Sequence, residues 1–190
     1  MDKTGFHDNT FEKADFTEKP LAAGEYDSCT FIDCNFTKAN LAGIVFSECV
    51  FIGCNMSAAK MIKTSLKDIR FVNCKLLGLV LDNCNKFLFS VYFEHCMLDL
   101  ASFYNLKLTK TTFKNCSIRE ADFSEADLSS AVFDTCDLQL AVFRNCNLEK
   151  ADFRTASNFS IDPEFNKIKK AKFSASGALN LLDKYDLVIS

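Results

Sequence analysis

Tryptophan is absent from the 190 residues, and histidine occurs only twice, as His7 and His95. So little histidine leaves scant material for the acid–base and metal chemistry that this residue most often carries. No Gly-rich phosphate loop, no HExxH and no GxSxG is present, so these familiar routes to phosphoryl, metalloprotease and acyl chemistry are missing. No apolar run approaches the roughly 18–20 residues that a membrane-spanning helix requires. The start, Met1-Asp2-Lys3-Thr4-Gly5, lacks the basic-then-apolar pattern of a secretory signal. Together these absences predict a cytoplasmic protein that is no enzyme, takes no cofactor and holds no metal.

What is present is a repeat. Every fifth residue from Phe93 is large and apolar: Phe93, Leu98, Phe103, Leu108, Phe113, Ile118, Phe123, Leu128, Phe133, Leu138, Phe143, Leu148, Phe153. Phe alternates with an aliphatic residue throughout. Two places before each centre stands a compact residue, mostly Ala or Cys, and the other three positions of each unit are mostly polar. An earlier register runs from Phe6 through Phe11 and on to Leu76 and Leu81 at the same spacing. A period of five fits neither a helix nor an uninterrupted strand. Within each unit, however, the two apolar positions lie two apart and project to one side, as in a strand. A polar corner must then follow. Short strands and frequent corners with one face always inward describe a β-solenoid. Cys96, Cys116 and Cys136 recur every 20 residues, which predicts four units per coil. About 30 units then make roughly 7–8 coils, a rod of about 35–40 Å.

Units such as Ala121-Asp122-Phe123-Ser124-Glu125, Ala126-Asp127-Leu128-Ser129-Ser130 and Ala151-Asp152-Phe153-Arg154-Thr155 resemble the A(D/N)LXX motif of the pentapeptide-repeat family. The resemblance implies an all-β fold, a right-handed quadrilateral β-helix over residues 1–173. The ending, a closing partial coil at 157–173, then a helix with Leu181-Leu182, then Leu187-Val188-Ile189, is similar to that of the quinolone-resistance members of the Qnr and MfpA type. It implies that residues 174–190 cap the rod and pair two rods into a homodimer through Leu179, Leu181, Leu182, Tyr185, Leu187, Val188 and Ile189. In that group the dimer mimics DNA and binds type II topoisomerases, DNA gyrase and topoisomerase IV, protecting gyrase from quinolones.

All ten cysteines occupy the compact slot, and none begins a CxxC pair. They are expected to be buried, reduced and structural, since free Cys packs as a small hydrophobe. His7 falls in the looser N-terminal units and His95 at an outward position, so both read as surface residues. Net charge is −3, unevenly distributed: residues 121–160 hold seven acids and three bases, residues 31–80 three acids and six bases. Asp122, Glu125, Asp127, Asp134 and Asp137 stand at outward positions and are the candidates for an acidic partner-binding surface, although a recurring Asp before the unit centre is first a structural feature. Acids near the N-terminus, Asp2, Asp8, Glu12 and Asp15, are expected to discourage end-to-end stacking of an open solenoid.

The register slips by two between Leu81 and Phe93, and Lys86 stands where an apolar centre is due. Residues 82–90 therefore read as an interruption, either a tolerated insertion or a contact patch carrying Phe87 and Phe89. After Ala156 the pattern fails again: Asn158 takes a core slot, Asp162-Pro163 reads as a helix start, Ser174 as the cap of a helix over about 175–184, and residues 185–189 as a short strand. Two functions remain open: a DNA-mimicking, topoisomerase-binding protein, and an interaction scaffold or regulator with another partner. The basic residues of 31–80 are diluted among apolar units without an aromatic stacking surface, which speaks against direct nucleic-acid binding.

Overall fold

A computed structural model describes residues 5–185 together with Leu187 and Val188. The five-residue units fold alike because their chemistry repeats. The centre points inward, the compact residue two before it lies beside it in the core, and the residue two after it turns the corner. At that corner the backbone is left-handed, with φ of 53° at Asp68, 63° at Lys110 and 61° at Lys150. This conformation costs an L-residue roughly 1–2 kcal/mol. In return the corner N–H is aimed at the next coil: Lys110 N donates to Ser129 O at 3.0 Å and Lys150 N to Lys169 O at 3.0 Å. Where Asp or Asn precedes the centre, its side chain closes the turn. Ser124 N donates to Asp122 Oδ1 at 2.8 Å and Ser129 N to Asp127 Oδ1 at 3.1 Å.

Four units complete one coil. Strands β1 (Gly5–His7) and β2 (Thr10–Glu12) lie on adjacent sides, followed one coil on by β3 (Glu25–Asp27) and β4 (Thr30–Ile32). Next come β5 (Val45–Ser47) and β6 (Val50–Ile52), then β7 (Ser65–Lys67) and β8 (Ile69–Val72). Finally β9 (Val91–Glu94), β10 (Thr112–Lys114) and β11 (Val132–Asp134) continue the second side alone. The first side is the parallel sheet β1-β3-β5-β7, and the second is the parallel sheet running from β2 to β11. On these two sides the centres are often flanked by β-branched residues, as in TFI, VFI and VFD, which suit a pleated surface. Sides built of Ala-Asp or Cys-Asn units keep only single bridges, such as Ser102–Asp122–Val142.

One column of rings forms the spine of the core. Phe11, Phe31, Phe51, Phe71, Phe93, Phe113, Phe133, Phe153 and Phe173 stack with successive centroids between 4.7 and 5.5 Å apart. Rings from other sides meet this column edge to face, as Phe123 meets Phe113 at 5.9 Å and 89°, the geometry the ring quadrupole favours. Beside it runs a column of thiols, Cys34, Cys54, Cys74, Cys96, Cys116 and Cys136, one per coil. Most donate to a carbonyl of the coil before: Cys54 Sγ to Phe31 O at 3.4 Å, Cys136 Sγ to Phe113 O at 3.3 Å. All ten cysteines are free and buried, and burial pushes Cys49 and Cys84 up to about 12 and Cys146 to about 11. Native-state titration with a thiol reagent should therefore find almost none reactive, with all ten appearing on denaturation; several fast native thiols would refute this packing.

The interruption is narrower than the sequence pattern predicts. Cys84 is buried and Asn85 still bridges Ser65 twenty residues back, so residues 82–85 stay in register. The chain departs at Lys86, whose ammonium reaches out to Asn105 O at 2.8 Å. Phe89, half-buried, packs against the core in its place, and Ser90 N then rejoins Leu66 O at 3.0 Å. Across the bulge the stacking offset is 22 rather than 20, as Phe71 pairs with Phe93, and beyond it the offset returns to 20, as Phe93 pairs with Phe113.

The C-terminal part corrects three expectations. Asn158 is exposed, with Nδ2 on Asp137 Oδ1 at 2.9 Å, and Phe159 fills the core beside it. Asp162 starts a turn rather than a helix, accepting from Glu164 N at 2.9 Å, because too few residues remain before the chain rejoins the coil at Lys167. Ser174 caps a helix as expected, accepting from Gly177 N at 2.9 Å, but the helix is 3₁₀ and spans Gly177–Tyr185. Lys184 ties it to the turn through Asp162 (2.9 Å) and Glu164 (2.8 Å); this ammonium holds both carboxyls below their ordinary range. Leu187 and Val188 belong to no strand, and Ile189 lies outside the described residues.

Candidate functional site

Phe87 and Leu88 form the tip of the bulge at 68% and 63% exposure, whereas the unit centres on either side of it are almost fully buried. The tip is held out by its own backbone. Asn85 Oδ1 accepts from Phe87 N at 3.1 Å, and Leu88 sits at φ 56°, an uncommon place for a bulky side chain. Phe87, Leu88 and Phe89 help line a groove of about 490 Å³ with Lys86, Lys107 and Lys110. On the other flank, Leu88 and Phe89 border a groove of about 400 Å³ with Glu48, Lys67 and Asp68. Of the two aromatic candidates, Phe87 is available to a partner and Phe89 is spent on the core. Leu88, one of the extra apolar residues of the interruption, was not among the candidate site residues; its exposure comes from the left-handed corner it occupies.

The five candidate acids are not brought together. Asp122 and Glu125 share one side, Asp127 lies on the next, Asp134 on the next again, and Asp137 on the fourth. Asp122 and Asp127 cap their own turns. Asp137 accepts from Gln139 N and pairs with Arg119 at 2.6 Å. Asp134 accepts from Thr135 at 3.2 Å and Thr155 at 3.0 Å. At the C-terminus Leu181 packs against the core, while Leu179, Leu182, Tyr185, Leu187 and Val188 remain exposed, Val188 at 99%. Phe165, 54% exposed beneath Arg144, is a further apolar residue near this end that the sequence reading did not select.

His7 and His95 are both exposed, with Asp27 and Asn115 as their respective neighbours. Among the described residues no cluster could hold a metal, and no helix is long and apolar enough to cross a membrane.

A family model, the pentapeptide repeat region, matches residues 25–103, 44–123 and 86–157. The chain belongs to the pentapeptide-repeat family. Its fold is shared by QnrB1, a plasmid-mediated fluoroquinolone resistance protein, over 98% of this chain and 100% of that one, at 17% identity and a TM-score of 0.51. It is shared likewise by HetL, a pentapeptide-repeat protein involved in heterocyst differentiation regulation in the cyanobacterium Nostoc sp. strain PCC 7120. That match covers 90% of this chain and 86% of HetL at 15% identity and a TM-score of 0.51. No curated protein matches the chain. At these identities the likeness is one of fold. The pentapeptide-repeat architecture explains why Asp recurs before unit centres here: it closes turns, and its charge is incidental to that role.

Proposed function

We propose that this pentapeptide-repeat rod is a non-catalytic protein-binding module whose contact centres on the bulge at residues 86–90. The exposure of Phe87 and Leu88 at the bulge carries the reading. Beside the centre slot taken by Lys86, two large apolar side chains stand side by side at the surface, flanked by grooves, and such clusters mark interfaces. The test is retention of partner proteins by the immobilised chain. Phe87→Ser/Leu88→Ser, with the fold verified by circular dichroism, should lose what the unaltered chain retains. Equal retention by both would end the reading.

A topoisomerase-binding, DNA-mimicking role is the second reading. The excess of acids in residues 121–160 and the likeness of fold to QnrB1 favour it. Pairing of two rods through Leu179, Leu182, Tyr185, Leu187 and Val188 would bring those acids near the middle of a dimer. The spread of Asp122, Asp127, Asp134 and Asp137 over the sides, and their use as turn caps and ion-pair partners, rank it below the first. A gyrase supercoiling assay with and without quinolone tests it, together with sedimentation of a chain ending at Phe173. Absence of gyrase binding at low salt removes this reading.

A further inference from the structure

The corner after the first side runs along the rod as one column, and its charge reverses once. From the N-terminal end it presents Asp8, Ser28, Glu48 and Asp68; beyond the bulge come Lys110, Ser130, Lys150 and Lys170; all have positive φ. Consecutive members lie one coil apart, about 4.8 Å: Asp8 N and Ser28 N reach Asp27 O and Ser47 O, and Lys110 N and Ser130 N reach Ser129 O and Glu149 O. Leu88 stands at the reversal, bordering Glu48 and Asp68 on one flank and Lys110 on the other.

The six charged members are exposed. Among the described residues, none of them enters an ion pair. Glu48 and Asp68 are stacked like charges, which a lone rod would gain by separating. The adjoining outward column, with Asp27, Lys67, Glu149 and Lys169, shows no such order, so the reversal belongs to the edge.

We propose that this edge pairs with the same edge of a second copy, antiparallel, about a twofold axis through Leu88. The inference rests on the bulge being an interaction site and names its partner. A twofold interface requires that whatever lies n coils to one side of the axis complement what lies n coils to the other. One coil out, Asp68 meets Lys110 of the second copy. Two coils out Glu48 meets Ser130, three coils out Ser28 meets Lys150, and four coils out Asp8 meets Lys170. No like charges meet along the edge, and Leu88 and Phe87 of both copies cover one another at the axis. A parallel arrangement would set acid on acid and lysine on lysine. The strip is about 38 Å long and about 10 Å wide, so the pair buries about 800 Å², below most stable complexes. Association is therefore weak and salt-dependent.

Sedimentation equilibrium of the full chain at about 200 μM should show self-association at about 20 mM salt that is lost at about 500 mM. Asp68→Lys or Lys110→Asp alone turns two attractions per pair into two repulsions and should weaken association about 10- to 30-fold. An equimolar mixture of the two variants should recover it, because each supplies the sign the other lacks; the double variant should recover it too. Single reversals without effect, or a mixture no tighter than its components, overturn the proposal. So does a single-chain mass at low salt. In that event a loss of partner retention by Phe87→Ser/Leu88→Ser would still uphold the bulge as a binding site, so the two readings fail separately. Pairing through the apolar C-terminus would respond neither to salt nor to these reversals in this way.

Discussion

Phe123→Ala is expected to destabilise the rod by about 3–5 kcal/mol. Phe123 is fully buried and lies in the middle of a short column, stacked on Phe103 at 4.7 Å and on Phe143 at 5.1 Å. Phe113 and Phe133 close on it edge to face at 5.9 and 5.8 Å. A phenyl ring removed from between two others leaves a void that its neighbours cannot fill, because both coils are pinned by backbone hydrogen bonds at fixed spacing. The equivalent change at the N-terminal coil, Phe6→Ala, should cost far less, about 1 kcal/mol. Phe6 stacks on Tyr26 at 4.6 Å, yet it is only half-buried, with no described coil beyond it. Urea unfolding of both variants measures the contrast. Equal losses at the two positions would show that the coils do not share one continuous core.

Asn166→Ala is expected to cost about 2–4 kcal/mol, although it removes only a small polar side chain. Asn166 is 8% exposed and serves three backbone groups. Its Oδ1 accepts from Cys146 N at 2.9 Å, and its Nδ2 donates to Phe143 O at 3.0 Å and to Asp162 O at 2.9 Å. It thus takes over the job of the corner just where the repeat fails, and alanine would leave those groups unpaired in the interior. Asn166→Asp gives a sharper test. A carboxylate can accept from Cys146 N but would face two carbonyl oxygens, so burial and those oxygens raise its folded pKa above the unfolded value near 3.9. Relative to the unaltered chain, stability of that variant should be greatest below the unfolded value and fall as pH rises through the folded one. A difference in thermal unfolding between variant and unaltered chain that is flat with pH between about 3 and 7 would contradict the assigned hydrogen bonds.

The fold was legible because its signal is redundant. Phe93 through Phe153 and the compact residues two places earlier state the same inward geometry many times, so no single exception obscures it. Asn158 and Asn166 show where that legibility ends. A lone Asn in an apolar slot reads as buried, yet Asn158 turns outward once Phe159 is free to replace it, while the buried amide, Asn166, stands in the compact slot two before Ile168, where its polarity gives no sign of the bonds it makes. The corners were nearly as silent, because only Gly43, Gly53 and Gly78 mark the left-handed conformation with glycine and the other such residues include Lys, Glu, Asp and Leu. Their conformation is imposed by the hydrogen bond to the next coil.

Period, inward slots, the placement of cysteines and the slip near residue 86 were determined by the sequence alone, since each depends only on neighbours a few residues apart. Which surface groups share an edge was decided by stacking. Counted along the chain, residues 31–80 are basic and 121–160 acidic, but a coil scatters each stretch over four sides. Asp68 and Lys110, 42 positions apart, come to flank Leu88 because one coil repeats at 20 residues and the next, lengthened by the bulge, at 22. The physical reason is that parallel backbone hydrogen bonds fix the offset between coils, and that offset exists only in the folded rod.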